Sequence, residues 1–380
     1  MERIYLDHAA TTPVHPEVVE AMLPFFTESF GNPSSIHSFG REARRLVDKA
    51  RRTMASAIGA KEDEVIFTSG GTEADNLGIL GAAQANSHKG NHIITTAIEH
   101  HAVLNTCKEL EKRGFSVTYL PVDTNGIVSL QDLQEAVTDS TILVTVMYGN
   151  NEVGTMQPIR EIGEFLEGTD VLFHTDAVQA FGYEEIDVDR LKVDLLSVSG
   201  HKINGPKGIG FLYKRTKASL APALFGGEQE KKRRAGTENT TAIAGFQAAV
   251  KRLASNKENS AQTYGQFKKR MTDIFTEENI KFEINGSKHQ VLPHIFNVYF
   301  PGIPLESMLV NLDLSGIAAS SGSACTAGTV DPSHVLSAMF GKESEQAKAS
   351  IRFSFGYGNT IEQIDKAARE TAKIVKRLVK

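Results

Sequence analysis

The sequence predicts an α/β fold, with a large domain built on a mostly parallel sheet and a smaller α+β domain beside it. Three observations carry this. From about residue 60 to about 215, short apolar runs rich in β-branched residues alternate with amphipathic stretches, as strands and crossover helices of one sheet do. Past about residue 280 that alternation gives way to an α+β pattern. A chain of 380 residues is also longer than one compact core accommodates.

Seven runs read as strands: Val65–Thr68, His92–Thr95, Val117–Leu120, Ile142–Met147, Val171–Thr175, Leu195–Ser199 and Ile209–Tyr213. Helices are expected between them at Glu73–Ala85, Ala102–Arg113 and Arg160–Leu166. Residues 239–278 read as two helices separated by the polar stretch Ser255–Ser260. Apolar runs near 281–284, 294–300 and 349–355, a helix near 304–312 and a basic helix from Ile361 then make the smaller domain. The expected division is 15–257 for the large domain. Residues 1–14 and 258–380 form the small one, with a loop at about 320–332. The charged run Glu230–Arg234 is expected to be a solvated loop.

Composition narrows the function. A net charge of −5 gives no basic field for nucleic acid or an anionic membrane. Met1–Pro13 lacks the basic flank and apolar run of a signal peptide. No run of about 18 apolar residues offers a membrane span, so a cytoplasmic protein is expected. Cys107 and Cys325 are the two cysteines, and a reducing compartment argues against joining them.

Chemistry in open α/β sheets gathers at the carboxyl ends of strands, and five segments place reactive residues there or in a comparable loop. Thr68–Glu73 puts Gly70 and Gly71 between a strand and a helix, which suits an anion held by backbone N–H groups; a plain turn capped by Thr72 fits equally. Asp176 ends an apolar strand, where a carboxylate needs a partner; a protonated pyridine nitrogen is one, and helix capping is another. Lys202 follows Ser197–Val198–Ser199–Gly200–His201 and has the setting of an imine-forming lysine, whereas Lys207 reads as solvated. His100, in Glu99–His100–His101, could stack on an aromatic ring or move protons; no ligand pattern completes a metal site there. Cys325 lies among small residues, Ser320–Thr329, where access favours a nucleophile or sulfur carrier, while Cys107 reads as a core thiol.

In joint order and spacing these segments resemble the pyridoxal-phosphate-dependent cysteine desulfurases, the NifS/IscS family of fold-type I aminotransferase-like enzymes. The resemblance covers essentially the whole chain. It is carried by Tyr5–Thr12, Gly31–Ser35, Tyr148–Gly154 with its Asn-Asn-Glu, Ser199–Lys202, Arg234–Asn239 and Ser321–Cys325, the last like the branch with the longer cysteine loop. It implies that Lys202 carries the cofactor, Asp176 pairs with its ring nitrogen and Gln179 with its ring oxygen. Gly71, Thr72, Ser199 and His201 would hold the phosphate, and Thr237 would reach the phosphate of a second subunit in a homodimer. His100 would stack on the ring and assist proton transfer. Arg352 would clamp the substrate carboxylate, with Asn151 and Asn32 at that end. L-Cysteine would become L-alanine, with the sulfur left as a persulfide on Cys325 and passed to an acceptor, a tRNA-thiolation enzyme or an iron-sulfur scaffold. Thr326–Leu336 resembles members that serve tRNA 2-thiolation. A selenocysteine lyase or other lyase of the fold would not need Cys325, and a non-catalytic partner protein would have lost Lys202, Asp176, His100 or Cys325.

Overall fold

The computed structural model describes residues 2–322 and 332–379, without the side chains of 254–259. Its strands in chain order are β1 (Ile4–Tyr5), β2 (Val65–Thr68), β3 (His92–Thr96), β4 (Ser116–Leu120), β5 (Thr141–Thr145), β6 (Leu172–Asp176), β7 (Leu195–Ser199), β8 (Gly210–Lys214), β9 (Glu283–Asn285), β10 (Ile295–Tyr299), β11 (Ile317–Ala318) and β12 (Ser350–Ser354). β2 to β8 form one sheet in the order β2-β8-β7-β6-β5-β3-β4. All of its pairings are parallel except the two that β8 makes with β2 and β7. Its central strands are buried along their whole length, so they read as continuous apolar runs rather than alternations.

A second core gathers around the three-stranded sheet β12-β10-β9, the helix Leu305–Leu314 and the C-terminal helix Ile361–Leu378. The N-terminal segment joins this side: β1 pairs with β11, and Leu6 is buried in the same core. Among the described residues, no helix is long and apolar enough to cross a membrane.

Two expectations are corrected. Residues 240–277 form one helix, Thr240–Glu277, not two. The stretch Ser255–Ser260 is polar but contains neither glycine nor proline, so nothing in it breaks a helix. Its polarity marks the passage between cores: Ala242–Val250 packs on the large one and Tyr264–Phe275 on the small one. Nor is Glu230–Arg234 simply a solvated loop. Glu230 is buried and accepts from both terminal nitrogens of Arg51 at 2.7 Å and from the Phe67 N–H at 3.1 Å. Arg234 forks onto Glu73 at 2.7 and 3.1 Å. Charges at these two positions are paired across the fold, which a run of like-looking charged residues does not reveal. Lys231 and Lys232 in the same run are exposed, as expected.

Candidate active site

A cavity of about 400 Å³ opens at the carboxyl ends of the parallel strands. Gly71, Thr72, His100, Asn151, Asp176, Gln179, Ser199, His201, Lys202 and Arg352 all line it, although they come from positions 71 to 352 of the chain. The topology does this: β2, β6 and β7 each end at the same rim, and β12 delivers Arg352 from the small sheet. Asn32 and Thr237 are exposed and lie outside this cavity in the single chain. Cys325 lies outside the described residues, while the segment leading to it reaches the cavity through Ser320 and Gly322.

One end of the cavity suits an anion. Gly70 sits at φ +151°, a backbone setting that favours glycine, and turns the chain from β2 into the helix Gly71–Asn86. A Cβ on Gly71 would come within 2.8 Å of Val178, so the close approach needs glycine there too. The first residues of the helix, Gly71 and Thr72, line the site with Ser199 and His201, and the first N–H groups of a helix lack partners within it.

The floor is acidic and buried. Asp176 accepts from the Val178 N–H at 2.9 Å, and burial raises its carboxyl to about 6. Below it, His174 pairs with Thr145 at 2.8 Å and Ser197 at 3.0 Å, and burial pushes its imidazole down to about 3. A neutral His174 gives Asp75, 3.6 Å away, no ion pair. Asp75 is held well above the usual carboxylate range by burial and by Asp176. Burial and mutual repulsion disfavour two charges on this pair, and Asp176, which ends β6 at the cavity, is placed to meet a cation.

The opposite wall is cationic. Lys202 is half-buried, with its amine turned inward to donate to the carbonyls of Ala9 and Ala10, the latter at 2.8 Å. Desolvation, then the Arg352 charge, lowers it to about 8. His100 accepts from the Ala102 N–H at 3.1 Å and is lowered to about 4 by desolvation and Lys202. Arg352 is 3% exposed; it donates to Asn151 O and Asp7 Oδ1, each at 2.8 Å, while its buried Nε has no partner. Arg352 lines the cavity and keeps N–H donors beyond these two contacts, so its guanidinium can fork onto a carboxylate. Donor atoms of Asp75, His100 and Asp176 lie within 4.8 Å of one another.

Several residues at or beside the cavity were not singled out from sequence. Asp7 orients Arg352. Glu152, buried and raised, accepts a hydrogen bond from Ser333, and His334 at the site's edge donates from Nε2 to Glu99 O at 2.9 Å. The motifs that hold Asp7 and Glu152, Tyr5–Thr12 and Tyr148–Gly154, were visible, as was Thr326–Leu336, which holds Ser333 and His334; their individual parts were not. Cys107 is fully buried on the helix His101–Lys112, and burial pushes its thiol up to about 12, as a core thiol requires.

The family model described as aminotransferase class-V matches residues 4–367. A Bacillus subtilis (strain 168) protein carrying the provisional name cysteine desulfurase IscS 1 is 60% identical over 378 residues, covering 100% of both chains. The cysteine desulfurase IscS of Methanosarcina thermophila is 49% identical, covering 99% of this chain and 92% of its own. A solved NifS-like protein superposes with a TM-score of 0.93 at 34% identity, covering 99% of this chain and 100% of its own.

Proposed function

The chain belongs to the class-V aminotransferase family, and from that premise we propose that it is a pyridoxal-phosphate-dependent cysteine desulfurase that passes sulfur through Cys325. One observation supports this most: Lys202, Asp176 and Arg352 converge on a single cavity, with an anion-binding helix start at one end.

The residues fit the cofactor by their chemistry. Gly71, Thr72, Ser199 and His201 would hold its phosphate, joined by Thr237 of a second copy. Asp176 would meet its ring nitrogen, Gln179 its ring oxygen and His100 its ring face, and Lys202 would be its point of attachment. When bound, pyridoxal phosphate supplies an electron sink for the α-carbon of an amino acid. Arg352 would fork onto the substrate carboxylate, with Asn151 and Asn32 at that end. Lys202 Nζ, with its affinity for protons reduced, takes the α-proton and returns it. Cys325 attacks the substrate sulfur as a thiolate. The carbon–sulfur bond breaks, the carbon gains a proton, and L-cysteine plus the Cys325 thiol become L-alanine plus a persulfide.

A homodimer belongs to this reading. Ile36 is 92% and Phe225 85% exposed, and Phe26 and Phe30 are also open, a cluster of apolar residues near Asn32 and Thr237 in sequence that a second copy would cover. The domain division at 15–257 against 1–14 and 258–380, a cytoplasmic setting and delivery to a tRNA 2-thiolation enzyme rather than an iron-sulfur scaffold complete the proposal. Purified protein loaded with pyridoxal phosphate should show a visible absorbance band and release alanine from L-cysteine. Lys202→Ala should lose both, and a variant that keeps the band and turnover would overturn the assignment.

A further inference from the structure

Gln179 carries a choice that the cofactor would feel. A primary amide can present either an N–H or a carbonyl to the cavity, and these act oppositely on an anionic ring oxygen. Two protein contacts bear on the choice. Gln179 Nε2 donates to Ala9 O at 2.9 Å, and Gln179 Oε1 lies 3.2 Å from His294 Nε2. The first uses one of the two amide hydrogens and leaves the other for the cavity. The second holds the carbonyl away from it.

His294 is built to do this. It is 2% exposed, just before β10, and its ring stacks on Tyr183 at 3.8 Å and 15°. Burial holds the imidazole well below its usual range, helped by Lys268 on the helix Thr240–Glu277, His8 on the N-terminal segment, Lys202 and Arg352, which would all repel a charge on it. A neutral imidazole has one N–H. Nδ1 has no hydrogen-bond partner, whereas Nε2 faces an acceptor, so the proton belongs on Nε2.

We propose that His294 is a positioning residue: its Nε2–H, donating to Gln179 Oε1, fixes the Gln179 amide so that an N–H rather than the carbonyl meets the cofactor's ring oxygen. The proposal rests on the cofactor reading given above. It adds a residue that touches neither substrate nor cofactor and acts through Gln179.

The test is the pH midpoint of the visible band of the Lys202-linked cofactor. A donor on the ring oxygen stabilises its charge and loosens the proton it shares with the Lys202 nitrogen. His294→Phe keeps an aromatic ring for Tyr183 and removes the donor; its midpoint should rise by roughly one pH unit, a tenfold change in proton affinity. His294→Gln, which again offers an N–H, should recover most of the shift. Gln179→Ala should raise the midpoint by itself, and adding His294→Phe to it should add nothing. An unmoved midpoint in His294→Phe, or a further rise in the double variant, overturns the proposal. Should His294→Phe not fold, ¹⁵N-histidine spectra of the loaded wild type decide: the His294 proton should stay on Nε2 throughout the titration, and a proton on Nδ1 overturns the proposal equally. A wild type that takes up no cofactor and shows no band instead removes the reading on which it rests.

Discussion

Replacing Arg352 with lysine tests the substrate end of the cavity, because it keeps the charge and removes the fork. Arg352 already spends two contacts on the protein, Asn151 O and Asp7, and holds its buried Nε in reserve. A carboxylate docking there would gain two charge-assisted hydrogen bonds of about 1.5–3 kcal/mol each. A single ammonium on a flexible stem keeps about one of them. The loss is then about 1.5–3 kcal/mol, or roughly 10- to 150-fold in kcat/KM. Most of it should appear in KM, since the carboxylate is bound alike in the ground state and the transition state. Steady-state alanine release measures this, and the affinity for L-alanine, which has the same carboxylate, should weaken by the same factor. The visible band reports that the site is intact. A kcat/KM within about threefold of wild type, with the band retained, would refute the assignment of Arg352.

Three further outcomes are expected. Lys268 donates to Leu292 O at 2.7 Å, and burial lowers its amine to about 7, below its unfolded value of about 10.4. The folded chain binds fewer protons than the unfolded one between those values, so stability should climb with pH across that window. Lys268→Met should flatten the climb in Tm, and an unchanged slope contradicts the assignment. Cys107→Ser buries a hydroxyl in an apolar helix face and should cost about 1–3 kcal/mol in chemical denaturation, while leaving turnover per folded molecule unchanged; a matching loss of turnover would give Cys107 a role it is not assigned. Glu230→Ala strips the buried Arg51 of its bidentate partner and should cost about 3–5 kcal/mol, and a change below about 1 kcal/mol would return that pair to the surface class.

The sheet was legible because its central strands are buried on both faces. Runs such as Ile142–Met147 and Leu195–Ser199 need no long-range information to be recognised, and their edges shift by one or two residues at most. The residues at their carboxyl ends were legible for the same reason: a polar residue that closes an apolar run is conspicuous. Pairings across the chain were not. Nothing near Glu230 in sequence announces Arg51, 179 positions away. Nothing near Arg352 announces Asp7, 345 positions away. His294 precedes an apolar strand much as His92 begins one, yet His92 is tied up with Thr141 and Thr118 while His294 faces Gln179. The long helix misled for a further reason. A polar stretch usually marks a loop, but here it marks the part of a helix that lies between two cores.

The central claim is that sulfur leaves L-cysteine onto Cys325, and it is open to one direct measurement. The loaded protein is incubated anaerobically with L-cysteine, digested, and the peptides holding Cys107 and Cys325 are weighed by mass spectrometry. The account predicts one added sulfur on the Cys325 peptide, none on the Cys107 peptide, and loss of the adduct on reduction. Alanine release with the Cys325 peptide unchanged would contradict it.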